Sequence, residues 1–189
     1  MSVLGLDVIK KRIKKEKLVE NLGQRELKNP EGVGLDLRLG EVHKIIKGGA
    51  FIEADQKKSL GLRQGVETKL VARYQKEQNP QAEITLGPGD YYLVLTLESL
   101  NTPPDLMPVI YPRSSLFRAG LLLLNTKIDP GYQGPLTFGL ANLSSFEVKL
   151  QLGARICNLV FFKIEGKTIN YRGQHQGGRV SFTKKERQV

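Results

Sequence analysis

Hydrophobic positions near the start of the chain recur with the period of an α-helix. Leu6, Ile9 and Ile13 fall on one face, and lysines occupy the other face. The pattern predicts one amphipathic helix over residues 3–19. Because only a few apolar positions form the stripe, it favours packing of the helix against the domain over contact with a membrane.

The period changes after residue 30, where apolar and polar residues begin to alternate. Residues 34–40 predict a strand with one solvent-facing side, on which Asp36 and Arg38 point the same way. Residues 159–162 are apolar without alternation, which predicts a strand buried on both faces. Glycine and proline separate further short strands, which are predicted at 42–46, 50–53, 91–97, 107–112, 121–124, 135–142, 146–151 and 155–164.

This series of short strands predicts a mainly β protein, a sandwich or barrel-like sheet with a short N-terminal helix. Residues 54–82 are polar and poor in pattern, so we expect a long excursion or a lid there rather than core. The domain is predicted to cover residues 1–166, and residues 167–189 to form a flexible basic arm. The arm is either a disordered end or a flap that orders over an anionic ligand through backbone amides and Arg179.

Net charge and cysteine content limit the classes of partner and the cell compartment that we expect. The 189-residue chain has a formal net charge of +10, so phosphates and polyanions are considered first. Residues 1–17 hold six Lys or Arg against two acids, and residues 167–189 hold six against one. Basic ends bind nucleic acid non-specifically or form solvated faces, and without a nucleic-acid motif we expect no specific nucleic-acid partner. One cysteine and the lack of a membrane-length apolar run favour a cytoplasmic protein with no membrane partner.

The stretch from Arg113 to Gly134 concentrates the candidate chemistry. Two arginines and two serines within residues 113–118 suit phosphate oxygens, and Asp129 lies on a tight turn where a carboxylate can hold or activate a water. A surface loop followed by an ordinary turn fits the same residues equally well. The chain lacks Walker, dinucleotide-binding and nucleophile-elbow motifs, and it lacks the histidine and cysteine spacing of zinc-dependent base deaminases.

Four segments, in order along the chain, resemble the motifs of the dUTPase and dCTP deaminase superfamily. The first is Gly34-Leu35-Asp36-Leu37-Arg38, and the second is Arg113-Ser114-Ser115-Leu116-Phe117-Arg118. The third runs from Lys127 to Asn142, and the fourth is Gly153-Ala154-Arg155-Ile156-Cys157-Asn158-Leu159-Val160-Phe161. The helical start and the form of the second motif resemble the deaminase branch and its archaeal-type dUTPase relatives.

The resemblance implies a β-clip or distorted jelly-roll subunit in a homotrimer whose active sites lie at subunit interfaces. It also implies a pyrimidine deoxynucleoside triphosphate that carries Mg²⁺, with no metal held directly by protein side chains. Zinc-free dCTP deaminases of this family use a glutamate in the strand after Asp-Pro-Gly, and that position here is Gly139. Because deamination needs a group that moves protons, we expect instead a dUTP diphosphatase that hydrolyses dUTP to dUMP and pyrophosphate.

The resemblance also implies roles for single residues. Asp129 is expected to activate the water that attacks the α-phosphorus or to bind the sugar, and Asp36 to fix an arginine or a metal-bound water. Tyr132 is expected to stack beneath the deoxyribose, and Asn125 to match the uracil edge. The other predicted substrate-binding residues are Arg113, Ser114, Ser115 and Arg118 on the phosphates, Asn158, and one or more of Tyr171, Gln174, Gln176 and Arg179 in the arm.

Several alternatives stay open from the sequence. Asp36 fits a surface carboxylate paired with Arg38, Arg113 fits an ion pair between subunits, and Tyr132 fits a buried filler of its turn. For the whole chain, the alternatives are a zinc-free dCTP deaminase, bifunctional or not, a non-catalytic nucleotide sensor of the same fold, and a nucleic-acid-binding β domain that uses the basic ends.

Overall fold

The computed structural model of the protein describes residues 2–55 and 61–187. The helices in these ranges are α1 (Leu6–Glu16), α2 (Gln24–Lys28) and α3 (Ser114–Arg118). The strands are β1 (Val19–Glu20), β2 (Gly34–Lys47), β3 (Phe51–Ile52), β4 (Leu62–Gln64), β5 (Glu67–Arg73), β6 (Glu83–Leu86), β7 (Tyr91–Asn101), β8 (Leu106–Pro112), β9 (Leu121–Leu124), β10 (Gln133–Asn142), β11 (Val148–Gln151), β12 (Arg155–Lys163) and β13 (Glu186–Arg187). The predicted mainly β class with a short N-terminal helix is confirmed.

One antiparallel sheet carries the core. Its strands follow the order β8-β12-β2-β7-β10-β9, with β1 paired to β7 and β5 paired to β2 outside this path. The predicted strands at 34–40 and 42–46 are two parts of the single strand β2, whose pairing with β7 shifts register between Leu39 and Glu41. A bulge of this kind bends a strand without ending it, so the one long strand serves several neighbours.

The apolar segment of β12 behaves as its sequence predicts. Leu159 and Phe161 are fully buried and Val160 nearly so, whereas Phe162 is only partly covered. β12 lies between β8 and β2, and both of its edges are therefore paired. The prediction of burial on both faces is therefore confirmed at Leu159, Val160 and Phe161 and is too strong at Phe162.

Helix α1 packs against the domain through its apolar stripe. Ile9 is fully buried, and Arg12 holds Asp105 through two hydrogen bonds of 2.7 and 2.8 Å. The helix is shorter than the predicted 3–19: it ends where Lys17 takes a left-handed conformation with φ of 52°, and the chain then enters β1. Within the described part of the chain, none of the helices is long and apolar enough to cross a membrane.

The predicted excursion at 54–82 is partly regular structure. Residues 56–60 lie outside the described residues, but β5 pairs with β2 from Glu41 to Lys47 and extends the sheet at one edge. Its side chains are mostly exposed, as the lack of an apolar pattern indicates. Helices α2 and α3, of five residues each, and β6 carry too short a pattern to be predicted from sequence.

The arm, residues 167–187 as far as the structure describes it, is docked along the start of β10. The Gly177 amide donates to the Gln133 carbonyl at 2.9 Å, and the Tyr171 amide donates to the Pro130 carbonyl at 2.6 Å. Gly134 has a φ of +125°, and a Cβ there would lie 2.7 Å from the Gly177 Cα, so two glycines permit the close approach. β13 then pairs with β4. The domain boundary at 166 and the flexibility of the arm stay predictions.

Candidate functional site

A buried carboxylate on β2 forms the first of two polar centres. Asp36 is 4% exposed and accepts hydrogen bonds from Arg113, from Arg155 Nη1 at 2.8 Å and from Arg25 Nη1 at 3.5 Å. Its second oxygen accepts from Asn158 Nδ2 at 3.1 Å. We call these five residues the Asp36 centre.

Strand register explains why these side chains meet. Asn158 on β12 lies directly opposite Asp36 on β2. Gly34 leaves the space that the Asn158 carboxamide fills, since a Cβ there would collide with it and would lie 2.9 Å from the Leu159 carbonyl. Arg113 is fixed because its amide donates to the Ile156 carbonyl at 3.1 Å, just before α3 begins. The first, second and fourth predicted motifs therefore converge on one carboxylate.

Helix α2 covers the polar side of β2, which the alternation had predicted to face solvent. Glu26 is buried, accepts the Asp36 amide at 3.1 Å and pairs with Arg25 at 2.6 Å. The predicted solvent-facing side is therefore wrong at Asp36. The alternative that pairs Asp36 with Arg38 is also wrong, because Arg38 Nε bonds to Glu98 at 2.6 Å. Burial raises the pKa of the Glu98 carboxyl, and the hydrogen bonds from Arg38 oppose that rise.

Two of the three arginines in the Asp36 centre share a single carboxylate. Arg113 and Arg155 both pair with Asp36, whereas Arg25 also pairs with Glu26 and Glu31. The side chains of Arg113 and Arg155 are 33% and 38% exposed, and each guanidinium has more N–H donors than Asp36 can satisfy. The Asp36 carboxylate holds both arginines from the buried side and leaves N–H donors free on the exposed side. This arrangement fixes arginines for an anion such as phosphate.

A cavity of about 410 Å³ next to Asp129 forms the second centre. Asp129 forms an ion pair with Lys127, and both line the cavity with Thr137 and Tyr132. The Thr137 hydroxyl is buried and has no hydrogen-bond partner within the described residues. Burial raises the pKa of Tyr132 to about 12, and its hydroxyl donates to the Pro135 carbonyl. Thr137 thus lines the cavity while its hydroxyl lacks a protein partner, and a buried polar group of this kind calls for a partner that the described residues do not supply.

The arm covers this cavity together with residues before β5. His175, Arg179 and Phe182 from the arm line it with Gly65 and Val66. Arg179 bonds to Glu186 at 2.6 and 2.8 Å and lies over the Phe182 ring at 5.3 Å from its centroid. The cavity is therefore closed on one side by residues that are far apart in sequence, and the Arg179 charge is already paired.

The predicted site residues fall into two separate groups. Arg113 and Asn158 join Asp36, whereas Tyr132, Tyr171 and Arg179 join Asp129 around the cavity, which no member of the Asp36 centre lines. The others lie outside both groups. Ser114, Ser115 and Arg118 are exposed on α3. The side-chain amides of the other three donate to backbone carbonyls: Asn125 to Leu123 at 3.3 Å, Gln174 to Arg187 at 3.2 Å and Gln176 to Gly131 at 3.0 Å.

The side chain of another residue occupies the space next to Gly139. It is buried on β10, and its backbone is not in the left-handed region. A Cβ there would lie 2.5 Å from Tyr91 Oη and 3.0 Å from Tyr91 Cε2. The end of the Tyr91 ring therefore lies against Gly139, and Tyr91 would have to move to admit a side chain there.

Sequence reasoning missed five residues of these centres. Arg155 stands inside the fourth motif, where a charge beside an apolar run was a usable signal. Thr137 precedes Gly139 by two residues, so strand alternation puts them on one face. Lys127 lies two residues before Asp129 at the start of the third motif, so its spacing was also a usable signal. Arg25 and Tyr91 depend on packing between distant segments.

Magnesium stays a prediction. Among residues 2–55 and 61–187, no three His, Cys, Asp or Glu side chains come together as a metal site. The donor set at the cavity is a single carboxylate, already paired with Lys127. Such a set fits an ion that is carried on substrate phosphates and keeps most of its waters.

Comparison with known proteins identifies close relatives. A family model described as dCTP deaminase-like matches residues 3–164. The chain is 32% identical over 178 residues to the dCTP deaminase of Pyrococcus furiosus, covering 93% of this chain and 96% of that protein. It is 32% identical over 160 residues to the dUMP-forming dCTP deaminase of Dictyoglomus thermophilum, covering 82% and 77%.

A solved structure supports the fold. The crystal structure of 2′-deoxycytidine 5′-triphosphate deaminase from Agrobacterium tumefaciens matches with a TM-score of 0.60 at 20% identity, over 84% of this chain and 48% of that one. This chain thus spans about half of the crystallised chain. The predicted dUTPase-like fold and the predicted superfamily are confirmed.

The predicted dUTP diphosphatase activity is wrong. The relatives that match across 93% and 82% of the chain are dCTP deaminases, which favours the alternative function instead. The prediction gave too much weight to the one missing glutamate at Gly139. A side chain from the neighbouring strand can occupy the same volume, as Tyr91 does.

Proposed function

The chain belongs to the dCTP deaminase-like family, and we propose that it is an enzyme that deaminates dCTP and releases ammonia. The observation that carries the proposal is the match to the dCTP deaminase-like family over residues 3–164, which includes the whole Asp36 centre and the Asp129 side of the cavity. Water adds to the C4 carbon of the base, the C4–N bond breaks, and a uracil nucleotide remains.

The Asp36 centre would bind the triphosphate. Arg113 and Arg155 have free donors toward solvent, and the buried Asp36 carboxylate holds them in place. Ser114 and Ser115 at the start of the adjacent α3 and Arg118 at its end are exposed and would add donors to the same phosphates. A Mg²⁺ ion on the phosphates would lower the charge of the substrate, with Arg113 and Arg155 binding the remaining oxygens.

The cavity at Asp129 would bind the nucleoside. The unpaired Thr137 hydroxyl can donate to or accept from the base, which carries both kinds of group. Tyr132 lines the same cavity with its ring buried and its hydroxyl engaged, so it would offer a fixed apolar surface to the sugar. The arm would exclude water above the base.

Because the two centres lie apart within one chain, we propose that a second copy completes the site. The Asp36 centre of one subunit would bind the phosphates of a nucleotide whose base lies in the Asp129 cavity of another. A ring of such contacts gives the predicted homotrimer with interface active sites.

The proposed activity is tested by incubating the purified protein with dCTP and Mg²⁺ and measuring ammonia and pyrophosphate separately. Ammonia counts deamination, and pyrophosphate counts cleavage of the triphosphate. We expect ammonia from dCTP and none from CTP. Protein that binds dCTP and releases no ammonia contradicts the proposal.

The shared site is tested by mixing two inactive variants. Arg113→Ala disables one centre and Thr137→Val the other, and the two are unfolded and refolded together in equal amounts. Random mixing should leave about a quarter of the interfaces with both centres intact, so about a quarter of the wild-type activity should return. Sites built within one chain would give no recovery.

A second candidate function is a non-catalytic dCTP-binding protein of the same family. Gly139 favours it, because it provides no carboxylate at the position where the zinc-free deaminases use one. Nucleotide binding by calorimetry without ammonia release would select this function.

A further inference from the structure

We propose that Tyr91 is a catalytic residue that carries protons between water and the base, in the place of a carboxylate at position 139. The inference rests on the proposed deamination of dCTP. It starts from the contact at Gly139, where the Tyr91 hydroxyl lies 2.5 Å from the position that a Cβ would take. The phenol therefore fills the volume of the absent side chain.

Strand pairing explains how Tyr91 reaches this position. Gly139 on β10 is paired with Leu93 on β7, and Ala141 is paired with Tyr91. Tyr91 is thus the diagonal neighbour of Gly139 on the same face, a separation that a long aromatic side chain can bridge. With no side chain on Gly139, the ring can lie across the strand.

The hydroxyl lies beside the proposed base pocket. Leu93, the partner of Gly139, and Thr137, two residues before it on the same face, both line the cavity. The Thr137 hydroxyl has no partner within the described residues, and no hydrogen bond from the Tyr91 hydroxyl is found among them either. Tyr91 is 40% exposed and does not itself line the cavity, but it lies on the sheet face that Leu93 and Thr137 share, next to the cavity wall. Two hydroxyls without partners on one strand face suit the polar edge of a pyrimidine.

A phenol can perform the required transfers because it is both a donor and an acceptor. In the first step the oxygen of water bonds to C4, the phenol gives its proton to N3, and it receives a proton from the water. In the second step the phenol passes a proton from the new C4 hydroxyl to the amino group, the C4–N bond breaks, and ammonia leaves. The phenol ends as it began, and dCTP plus water become a uracil nucleotide and ammonia.

The first test removes only the hydroxyl. Tyr91→Phe keeps the ring against Gly139, so a packing role would leave the rate unchanged. We expect kcat for ammonia release from dCTP to fall by roughly 10²-fold or more, with KM changed by less than about fivefold. Tyr74→Phe is the matched control, because its ring packs at Gly153, away from the cavity, and it should retain wild-type kcat.

The second test restores a carboxylate. Gly139→Glu alone should displace the Tyr91 ring, because the end of that ring occupies the space of the new side chain. Tyr91→Ala with Gly139→Glu frees that space, and we expect it to release ammonia at least about tenfold faster than Tyr91→Ala alone. Circular dichroism would verify that each variant is folded.

The outcomes separate this inference from the proposed function. A wild-type protein that deaminates dCTP, with Tyr91→Phe equally active, overturns the role of Tyr91 and leaves the proposed function intact. A wild-type protein that releases no ammonia overturns both.

Discussion

Replacing Asp36 with asparagine should destabilise the protein more than any single surface substitution. The change keeps the size of the side chain but removes the charge that three arginines share. The amide would also turn N–H donors toward guanidinium donors. Asn158 would lose a charged acceptor at the same time.

The magnitude follows from burial. Breaking a buried ion pair by removing one partner costs about 3–5 kcal/mol, and the arginine side chains here are 33–38% exposed, so water replaces part of the lost interaction. We therefore expect a loss near the lower end, about 3 kcal/mol.

Urea unfolding followed by circular dichroism measures this loss. Protein concentration must be equal for all variants, since an oligomer gains apparent stability with concentration. Glu31→Gln is the matched control: Glu31 pairs with Arg25, which also contacts Asp36, but the Glu31 side chain is 86% exposed. Its effect should stay within about 0.5 kcal/mol.

A small effect of Asp36→Asn would refute this reasoning. If both variants lie within about 1 kcal/mol of wild type, the guanidinium groups are satisfied by water and Asp36 does not hold them in place. Arg113 and Arg155 would then have no fixed orientation for phosphate.

Two further predictions concern the ends of the chain. Gly134→Ala should release the arm, because the new Cβ would meet Gly177, and limited proteolysis should then cut the arm faster. Gly32→Ala is the control: this residue also has a positive φ, but nothing lies near its Cβ position, so the rate of cutting should not change. The hydrogen bonds from Arg12 lower the Asp105 pKa below its ordinary value of 3.8, so that pair stabilises the fold above this pH and is lost as pH falls through the lowered folded-state pKa. Thermal unfolding between pH 2 and 7 should therefore show a weaker acid dependence for Asp105→Asn than for wild type.

Much of the fold was predictable because the strands carry their own patterns. The apolar segment of β12 and the stripe of α1 each predict which face is covered without help from other segments, although Leu6, Ile13 and Phe162 are only partly buried. Helix α2 could not be predicted, because five residues contain too little of a helical period. Its absence from the prediction caused the error at Asp36, since α2 is what covers that side of β2.

The site was predictable only in its motif residues. Asp36, Arg113 and Asn158 were named as site residues and converge in space, because strand register brings their motifs together. Tyr91 carried no local signal: it matters through a contact with a residue on another strand. The prediction of dUTP diphosphatase activity was wrong for the same reason. An empty position is visible in a sequence, whereas the side chain that fills it is not.

The pairing of β13 with β4 has a consequence for the order of assembly. β4 is synthesised long before β13, so the small sheet that both share with β3 cannot close until almost the whole described chain has left the ribosome. The central sheet needs no residue beyond β12 and can form earlier. A nascent chain would therefore fold the central sheet first, and the arm would cover the Asp129 cavity only afterwards.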